Sequence, residues 1–315
     1  MEAPIIAERI GDAEVIVTNK TPISKETMDK CPNLKMIAVL ATGYNVINYD
    51  YAKEKGIPVC NVPTYGTACV GQYAIALLLE VCHHIGHHDK TVHEGKWANH
   101  IDWCYWDHPL IELDGKTAGI IGFGRIGQTT GRIAKALGMK VLAYDPYVKE
   151  LPEEFQSYVT LCGENEVISG CDFLSLHLPL NDETRNMISA PQLASMKAGA
   201  YVINAARGGI VNEKDLYEAL VSGHIAGAAM DVSEVEPMAK ENPLRTLDNV
   251  IIYPHIGGNT TEAAHRASYF AAMGIQEVYE GKAPTWPIND VDYKTAKTYT
   301  DTKKPDTKPA GMFDF

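Results

Sequence analysis

The chain has 315 residues, 45% of them hydrophobic and 22% charged, and its 40 acidic against 28 basic side chains give a formal net charge of −12. That length suits two domains of roughly 100–200 residues better than one core, and the composition is that of an ordinary globular chain. An acidic balance of this size argues against a general nucleic-acid binder or a ligand of anionic membranes, though an acidic protein can still carry a locally basic pocket for an anion. The seven cysteines (Cys31, Cys60, Cys69, Cys82, Cys104, Cys162 and Cys171) are odd in number, irregularly spaced and without a C-x-x-C pair. That usage indicates a reduced, cytoplasmic compartment. The opening MEAPIIAERIGD lacks a charged head followed by an apolar run, so no secretory signal is expected, and no apolar run approaches the ~18 residues of a membrane span.

Short apolar runs alternate with helical patterns, which predicts an α/β chain with parallel sheets. Strands are predicted at Ala13–Thr18, Leu34–Leu40 and Ile57–Asn61, with a helix over Tyr49–Lys55 and a long apolar helix over Gly71–His84. Gly71 inside that helix carries a mild local penalty. A second series starts with a strand at Thr117–Ile121, a helix over Gln128–Leu137 and a strand at Lys140–Tyr144. It continues with strands at Phe173–Leu176, Ala200–Asn204, Ala226–Met230 and Val250–Tyr253, then one long helix over Thr260–Glu280 stopped by Gly281 and Pro284. From Asp290 onward the chain is rich in Lys, Thr, Asp and Pro, which predicts a flexible tail.

Gly122-Phe-Gly-Arg-Ile-Gly127 fits G-x-G-x-x-G and sits between a predicted strand and a predicted helix. Alone the pattern also describes any glycine-rich turn. Here Asp145 ends the next strand, 23 positions after Gly122, close to the ~20 of a dinucleotide fingerprint. Gly122 allows the tight turn, Gly124 lets the backbone approach a pyrophosphate, and Gly127 lets helix and strand pack closely. The helix N-terminus offers free amides and a partial positive charge to the phosphates. The Asp145 carboxylate accepts from a ribose diol and repels a 2′-phosphate, which selects NAD over NADP.

Three polar clusters follow three successive strands: Asn204-Ala-Ala-Arg207-Gly-Gly209, Asp231-Val-Ser-Glu-Val-Glu236-Pro237 and Pro254-His255-Ile-Gly-Gly258. Ligands of such sheets bind at the carboxyl ends of the strands. Reduction of a 2-keto acid needs its carboxylate held, its carbonyl polarised and a proton delivered. An arginine fork serves the first two, and a histidine titrating near neutrality serves the third. A carboxylate beside the histidine orients it and favours the imidazolium. Arg207, Glu236 and His255 supply that set. Each alone is more simply a surface ion pair, a solvated loop residue or a structural histidine; together, behind a dinucleotide turn, they predict a catalytic triad. His83, His84, His87 and His88 form H-H-x-x-H-H, whose i, i+4 pairs on a helix have a metal-binding spacing. No further ligand completes a set, so no metal is expected. Lys303, Lys304 and Lys308 alternate with Asp301 and Asp306 as a solvated mixture of charge.

The GFGRIG turn, HLPLNDETRNMI (His177–Ile188), NAARGG, DVSEVEP and PHIGG, in that order, resemble the D-isomer-specific 2-hydroxyacid dehydrogenases. The resemblance runs from about Ala13 to Asn289, and NVPTYGT and WCYWDHPLIEL are most similar to glycerate dehydrogenases, also called hydroxypyruvate reductases. It implies two doubly wound parallel-sheet domains, a Rossmann NAD domain over about 98–284 inserted into a flavodoxin-like substrate domain made of 1–97 and 285–315. It also implies roles. Arg207 binds the substrate carboxylate and polarises the carbonyl, His255 is the general acid/base, and Glu236 is its partner. Asp231 holds the nicotinamide carboxamide, Arg125 and Ile126 meet the pyrophosphate, and His177, Pro179 and Thr184 line the adenosine side. Ala205 and Gly257 join the cofactor set. The loop Ala41–Asn45, with Thr42 and Gly43, offers backbone amides to the substrate carboxylate.

The resemblance further implies a homodimer with the segment near Trp97–Leu113 in its arm, and Trp103 or Trp106 reaching the neighbour's site. Family chains usually carry a further strand and helix before the position of the Ala13 strand. Here only Ile5–Ile10 stands for part of that helix, so an unpaired sheet edge is expected. Hydroxypyruvate or glyoxylate is the expected oxidant. Another 2-keto acid such as phosphohydroxypyruvate, or a non-catalytic NAD-sensing role like that of corepressor relatives, is the alternative.

Overall fold

A computed structural model describes residues 3–293 and divides the chain into two compact units, Met1–Tyr65 with Ala264–Phe315, and Gly66–Ala263. The second unit is thus inserted into the first. The tail expectation falls mainly on 294–315, outside the described residues.

The first unit runs α1 (Ala3–Ile10), β1 (Val15–Thr18), α2 (Lys25–Asp29), β2 (Met36–Val39), α3 (Tyr49–Glu54) and β3 (Val59–Cys60). Its three strands form a parallel sheet in the order β1-β2-β3. The central strand β2 is buried at every position, as a parallel strand covered on both faces must be. Ile37 and Val39 point to a core shared with Ile6, Met28 and Ala52 of the three helices. β1 pairs only with β2 among the described residues and leaves Val17 about half exposed, so the expected edge is present.

The second unit opens with α4 (Thr67–His83) and α5 (Ile85–His93), then β4 (Thr117–Ile121), α6 (Arg125–Ala136), β5 (Lys140–Tyr144), β6 (Val159–Leu161), α7 (Glu164–Gly170) and β7 (Phe173–Leu176). It continues through α8 (Ala190–Ser195), β8 (Ala200–Asn204), α9 (Glu213–Val221), β9 (Ile225–Met230) and β10 (Val250–Ile252). The seven strands are all parallel, in the order β10-β9-β8-β7-β4-β5-β6. The order reverses between β4 and β7, the switch point where an open α/β sheet binds its ligand. One face buries Leu174, Leu176 and Val202 under Val167, Leu193 and Leu216 of α7, α8 and α9. The other buries Ala118, Ile120 and Ile203 under α4 and α6. The last helix, α10 (Thr261–Tyr279), begins at the end of this unit and returns the chain to the first, where Ala271 and Val278 cover Met36 and Ala38 of β2.

The compact units divide at Tyr65/Gly66 and Ala263/Ala264, and not after residues 97 and 284 as the resemblance implied. The physical reason is α4, which buries Ile75, Leu78 and Cys82 in the core of the seven-stranded unit. The H-H-x-x-H-H run does not lie on one helix. The chain turns at His84, whose φ is +49°, and α4 and α5 meet at a 58° bend. No single helix among the described residues is long and apolar enough to cross a membrane.

Candidate active site

β4 hands its chain directly to the glycine turn. Gly122 adopts φ +93°, and a Cβ there would lie 2.5 Å from the carbonyl oxygen of His177. A Cβ on Gly127 would strike the carbonyl oxygen of Gly122, so the first turn of α6 packs flush on the strand end. Gly124 is the N-cap of α6; it supplies no side-chain cap, and a Cβ on it would meet nothing within 4 Å. The first amides of α6, at Arg125 and Ile126, therefore keep the unsatisfied donors and partial positive charge that suit a phosphate. Phe123, between the glycines, is fully buried edge-on to Phe155, which fixes the turn to the core.

Asp145 follows β5 and turns one carboxylate oxygen to the Tyr147 amide at 2.9 Å. His177 follows β7, with its amide donating to Ile121 (2.8 Å) and its Nε2 hydrogen-bonded to Ser175 Oγ (2.9 Å). Its Nδ1 is buried and without a hydrogen bond, and burial pushes its pKa down to about 4, so the ring is neutral near pH 7. Thr184 Oγ1 donates to the Pro179 carbonyl (2.7 Å) and accepts from the Asn181 amide (2.9 Å), closing the loop after β7. The open space at Gly124, the uncapped helix end, the Asp145 carboxylate and the orphaned His177 Nδ1 together fit a dinucleotide, with hydroxyl-bearing ribose at Asp145 and phosphates at the turn.

The three polar clusters leave β8, β9 and β10 at the same edge, because these strands are adjacent and parallel. Asn204, fully buried, shapes the first loop: its amide donates to the Arg207 carbonyl (3.0 Å) and its oxygen accepts from the Ala206 amide (3.1 Å). Ala205 and Arg207 are half-buried, and Arg207 Nη1 donates to the Ala206 carbonyl at 2.7 Å. No ion pair to Arg207 occurs among the described residues, so its charge is available to an anion. A Cβ on Gly208 would collide with the Ser233 carbonyl, so the first and second loops touch.

Asp231 is only 2% exposed and accepts from the amides of Ile256 (2.9 Å) and Gly257 (2.8 Å). Glu236, before a cis Pro237, accepts from the Ser233 amide through Oε1 (3.2 Å) and from His255 Nδ1 through Oε2 (2.7 Å). His255 itself has φ +57°. With Nδ1 committed to the carboxylate, Nε2 is the ring atom left for proton transfer.

Thr42 and Gly43 lie in the first unit, on the loop after β2. Thr42 Oγ1 reaches the Pro63 carbonyl at 3.4 Å, and the Thr42 carbonyl accepts from Asn61 Nδ2 at 2.8 Å. Sequence reasoning missed Ser175, Glu213 and Tyr73. Ser175 was findable, since residues two apart on a strand share a face and this one faces His177. Glu213 braces the second loop, accepting from Ser233 Oγ (2.8 Å) and the Glu234 amide (2.6 Å). Nothing in the sequence signals that long-range contact.

A dinucleotide cradle followed by paired Glu and His on adjacent strand ends defines a nicotinamide-dependent oxidoreductase. Residues 75–257 match the family described as D-isomer specific 2-hydroxyacid dehydrogenase, NAD binding domain. A hydroxypyruvate reductase of Blautia hydrogenotrophica is 51% identical over 288 residues, covering 91% of this chain and 87% of that one. A D-3-phosphoglycerate dehydrogenase of Methanocaldococcus jannaschii is 39% identical over 90% of this chain, which spans only 53% of that protein. The crystal structure of the Aquifex aeolicus D-lactate dehydrogenase, complexed with NAD and lactic acid, superposes with TM-score 0.75 at 30% identity, covering 87% of this chain and 85% of that one. The chain belongs to the D-isomer specific 2-hydroxyacid dehydrogenase family and is an NAD-dependent oxidoreductase acting on CH–OH donors.

Proposed function

We propose that the chain reduces hydroxypyruvate to D-glycerate, with glyoxylate as a second oxidant. The observation that carries the reading is the 2.7 Å bond between His255 Nδ1 and Glu236 Oε2, on a loop neighbouring that of the unpaired Arg207. The 51% identity to a protein named hydroxypyruvate reductase supports the choice of substrate.

NADH, once bound, would supply the hydride. Gly122, Gly124, Arg125, Ile126 and Gly127 would hold its pyrophosphate. Asp145, His177, Pro179 and Thr184 would hold its adenosine side, and Ala205, Asp231 and Gly257 its nicotinamide. Arg207 grips the substrate carboxylate and polarises the C2 carbonyl. His255 Nε2 delivers a proton to the carbonyl oxygen as the hydroxyl forms. The Glu236 carboxylate accepts from Nδ1 and holds the ring in place throughout. In the reverse direction the neutral ring accepts that proton, so reduction is favoured at low pH and oxidation at high pH.

The unit Gly66–Ala263 is the cofactor-binding part in this reading, and the other unit is the substrate-binding part. The odd number and irregular spacing of the seven cysteines support a reducing, cytoplasmic setting. Exposed aromatic side chains at 97–106 support a homodimer.

The test is NADH consumption with hydroxypyruvate, glyoxylate, phosphohydroxypyruvate and pyruvate, with NADPH and His255→Ala as controls. The expected result is turnover of hydroxypyruvate with NADH that is lost in the variant. Preference for the phosphorylated acid would replace the substrate assignment, and NADH binding without any turnover would overturn the catalytic reading.

A further inference from the structure

His255 holds a left-handed backbone, φ +57°, which a non-glycine residue keeps only when its surroundings enforce it. Two groups from other elements do so. The Asp231 carboxylate pins the two amides that follow His255, and its own amide is fixed on the Asn204 carbonyl at 2.9 Å. The second group is Tyr73, on α4. Its ring meets Tyr253, two residues before His255, edge-on at 5.9 Å between centroids. It also lies against Gly257, two residues after His255, so closely that a Cβ there would sit 2.8 Å from Tyr73 Cδ1 and 2.9 Å from Asp231 Oδ2. The ring therefore touches the loop on both sides of the histidine, and α4 is anchored by Ile75, Leu77 and Leu78 in the core. The Tyr73 hydroxyl is buried beside the Asp231 carboxylate. Burial and the nearby Asp231 carboxylate hold it protonated, well above the usual phenol range.

We infer that Tyr73 is a positioning residue for His255: its ring, wedged from α4 between Tyr253 and Gly257, holds the loop in the conformation that presents the imidazole to Glu236. This rests on His255 being the acid/base. The ring carries the role, because it is the ring that meets Tyr253 and Gly257 on either side of the histidine.

The experiment compares full-length Tyr73→Ala, Tyr73→Phe, His255→Gln and the Tyr73→Ala/His255→Gln double variant. It measures kcat and KM for reduction across pH, and the NADH dissociation constant by fluorescence. Tyr73→Ala is expected to lower kcat roughly 10–100-fold, the scale of an ångström-level misplacement, with NADH affinity unchanged within about twofold. Tyr73→Phe restores kcat. In the double variant the Tyr73 loss disappears, since residues acting through one group are not additive. Should Tyr73→Ala not fold, Tyr73→Leu keeps apolar bulk at the site without the flat ring, and its loss of kcat is likewise expected to vanish on the His255→Gln background.

An additive loss in the double variant overturns the inference. So does a Tyr73→Phe loss equal to that of Tyr73→Ala, or a parallel loss of NADH affinity. A His255→Gln enzyme with undiminished kcat and an intact pH profile is a different failure: it removes the acid/base reading itself.

Discussion

Glu236 splits its two oxygens between a backbone amide and the imidazole, so the carboxylate is positioned before it acts. Glu236→Gln keeps the shape of the side chain but replaces the carboxylate that accepts from His255 Nδ1 with a neutral amide. The expected outcome is a fall in kcat for reduction of about 100-fold, with little change in KM for the keto acid, measured by steady-state kinetics at neutral pH. His177 gives a separate prediction, in stability. Its folded-state pKa of about 4 lies below the ordinary histidine value of about 6.5 because burial disfavours the charged ring. Below pH 6.5 the unfolded chain binds the proton that the folded chain refuses, so stability falls as pH drops from about 6.5 to 4, by at most about 1.4 kcal/mol per pH unit. His177→Asn should flatten that part of a urea-midpoint versus pH curve. A wild-type curve that is level across the window would count against a neutral buried ring.

At the scale of elements, Gly71 turns from a penalty into a requirement. A Cβ there would lie 2.7 Å from Thr129 Cγ2 of α6, so the glycine is what lets α4 cross α6 at close range. Gly71→Ala improves helix propensity by about 1 kcal/mol but forces the helices apart, at an overpacking cost of about 1–3 kcal/mol. The net outcome expected is destabilisation, seen as a lower urea midpoint. The same contrast between local and long-range information explains what the sequence disclosed. Six of the seven strands of the large sheet were legible because parallel strands covered on both faces read as short apolar runs. The glycine turn and Asp145 were legible because their chemistry is local. β6, α7 and α9 were not recognised, being short or polar on most positions. The break at His84 was invisible too, since nothing in HHIGHH marks which histidine takes the left-handed turn. Once α4 and α5 part there, His87 Nε2 bonds to Asp107 (2.8 Å) and His84 stacks near His108 (4.4 Å between ring centroids). These contacts tie α5 to the segment beyond it, and they are set by loop geometry that periodicity does not encode.

At the scale of the whole molecule, an exposed apolar segment stands out among the described residues. Between Trp97 and Leu110 the chain exposes Trp97 at 53%, Ile101 at 96%, Trp103 at 88%, Trp106 at 67% and Leu110 at 57%. The segment is nevertheless held in shape: Trp97 Nε1 donates to the Trp103 carbonyl at 2.8 Å, and Asp107 is paired to Lys96 and His87, which push its pKa down to about 2. A stable protein interface takes about 800 Å² from each partner, and three tryptophans offering ~150–250 Å² each, with two aliphatic neighbours, come close to that from this segment alone. An ordered apolar arm on a chain of net charge −12 favours another apolar surface over a charged partner, and a second copy of the chain carries one by construction. Sedimentation equilibrium of the full chain should therefore give a dimer at micromolar concentration. Ile101→Asp with Trp103→Glu should shift it to monomer and leave the far-ultraviolet circular dichroism of the folded chain unchanged. Loss of activity on that shift, with NADH affinity retained, would mean that the neighbour's arm completes the substrate site. Activity retained by a verified monomer would confine Trp97–Leu110 to assembly, and a wild-type chain that sediments as a monomer would leave the exposed tryptophans without the partner argued for them.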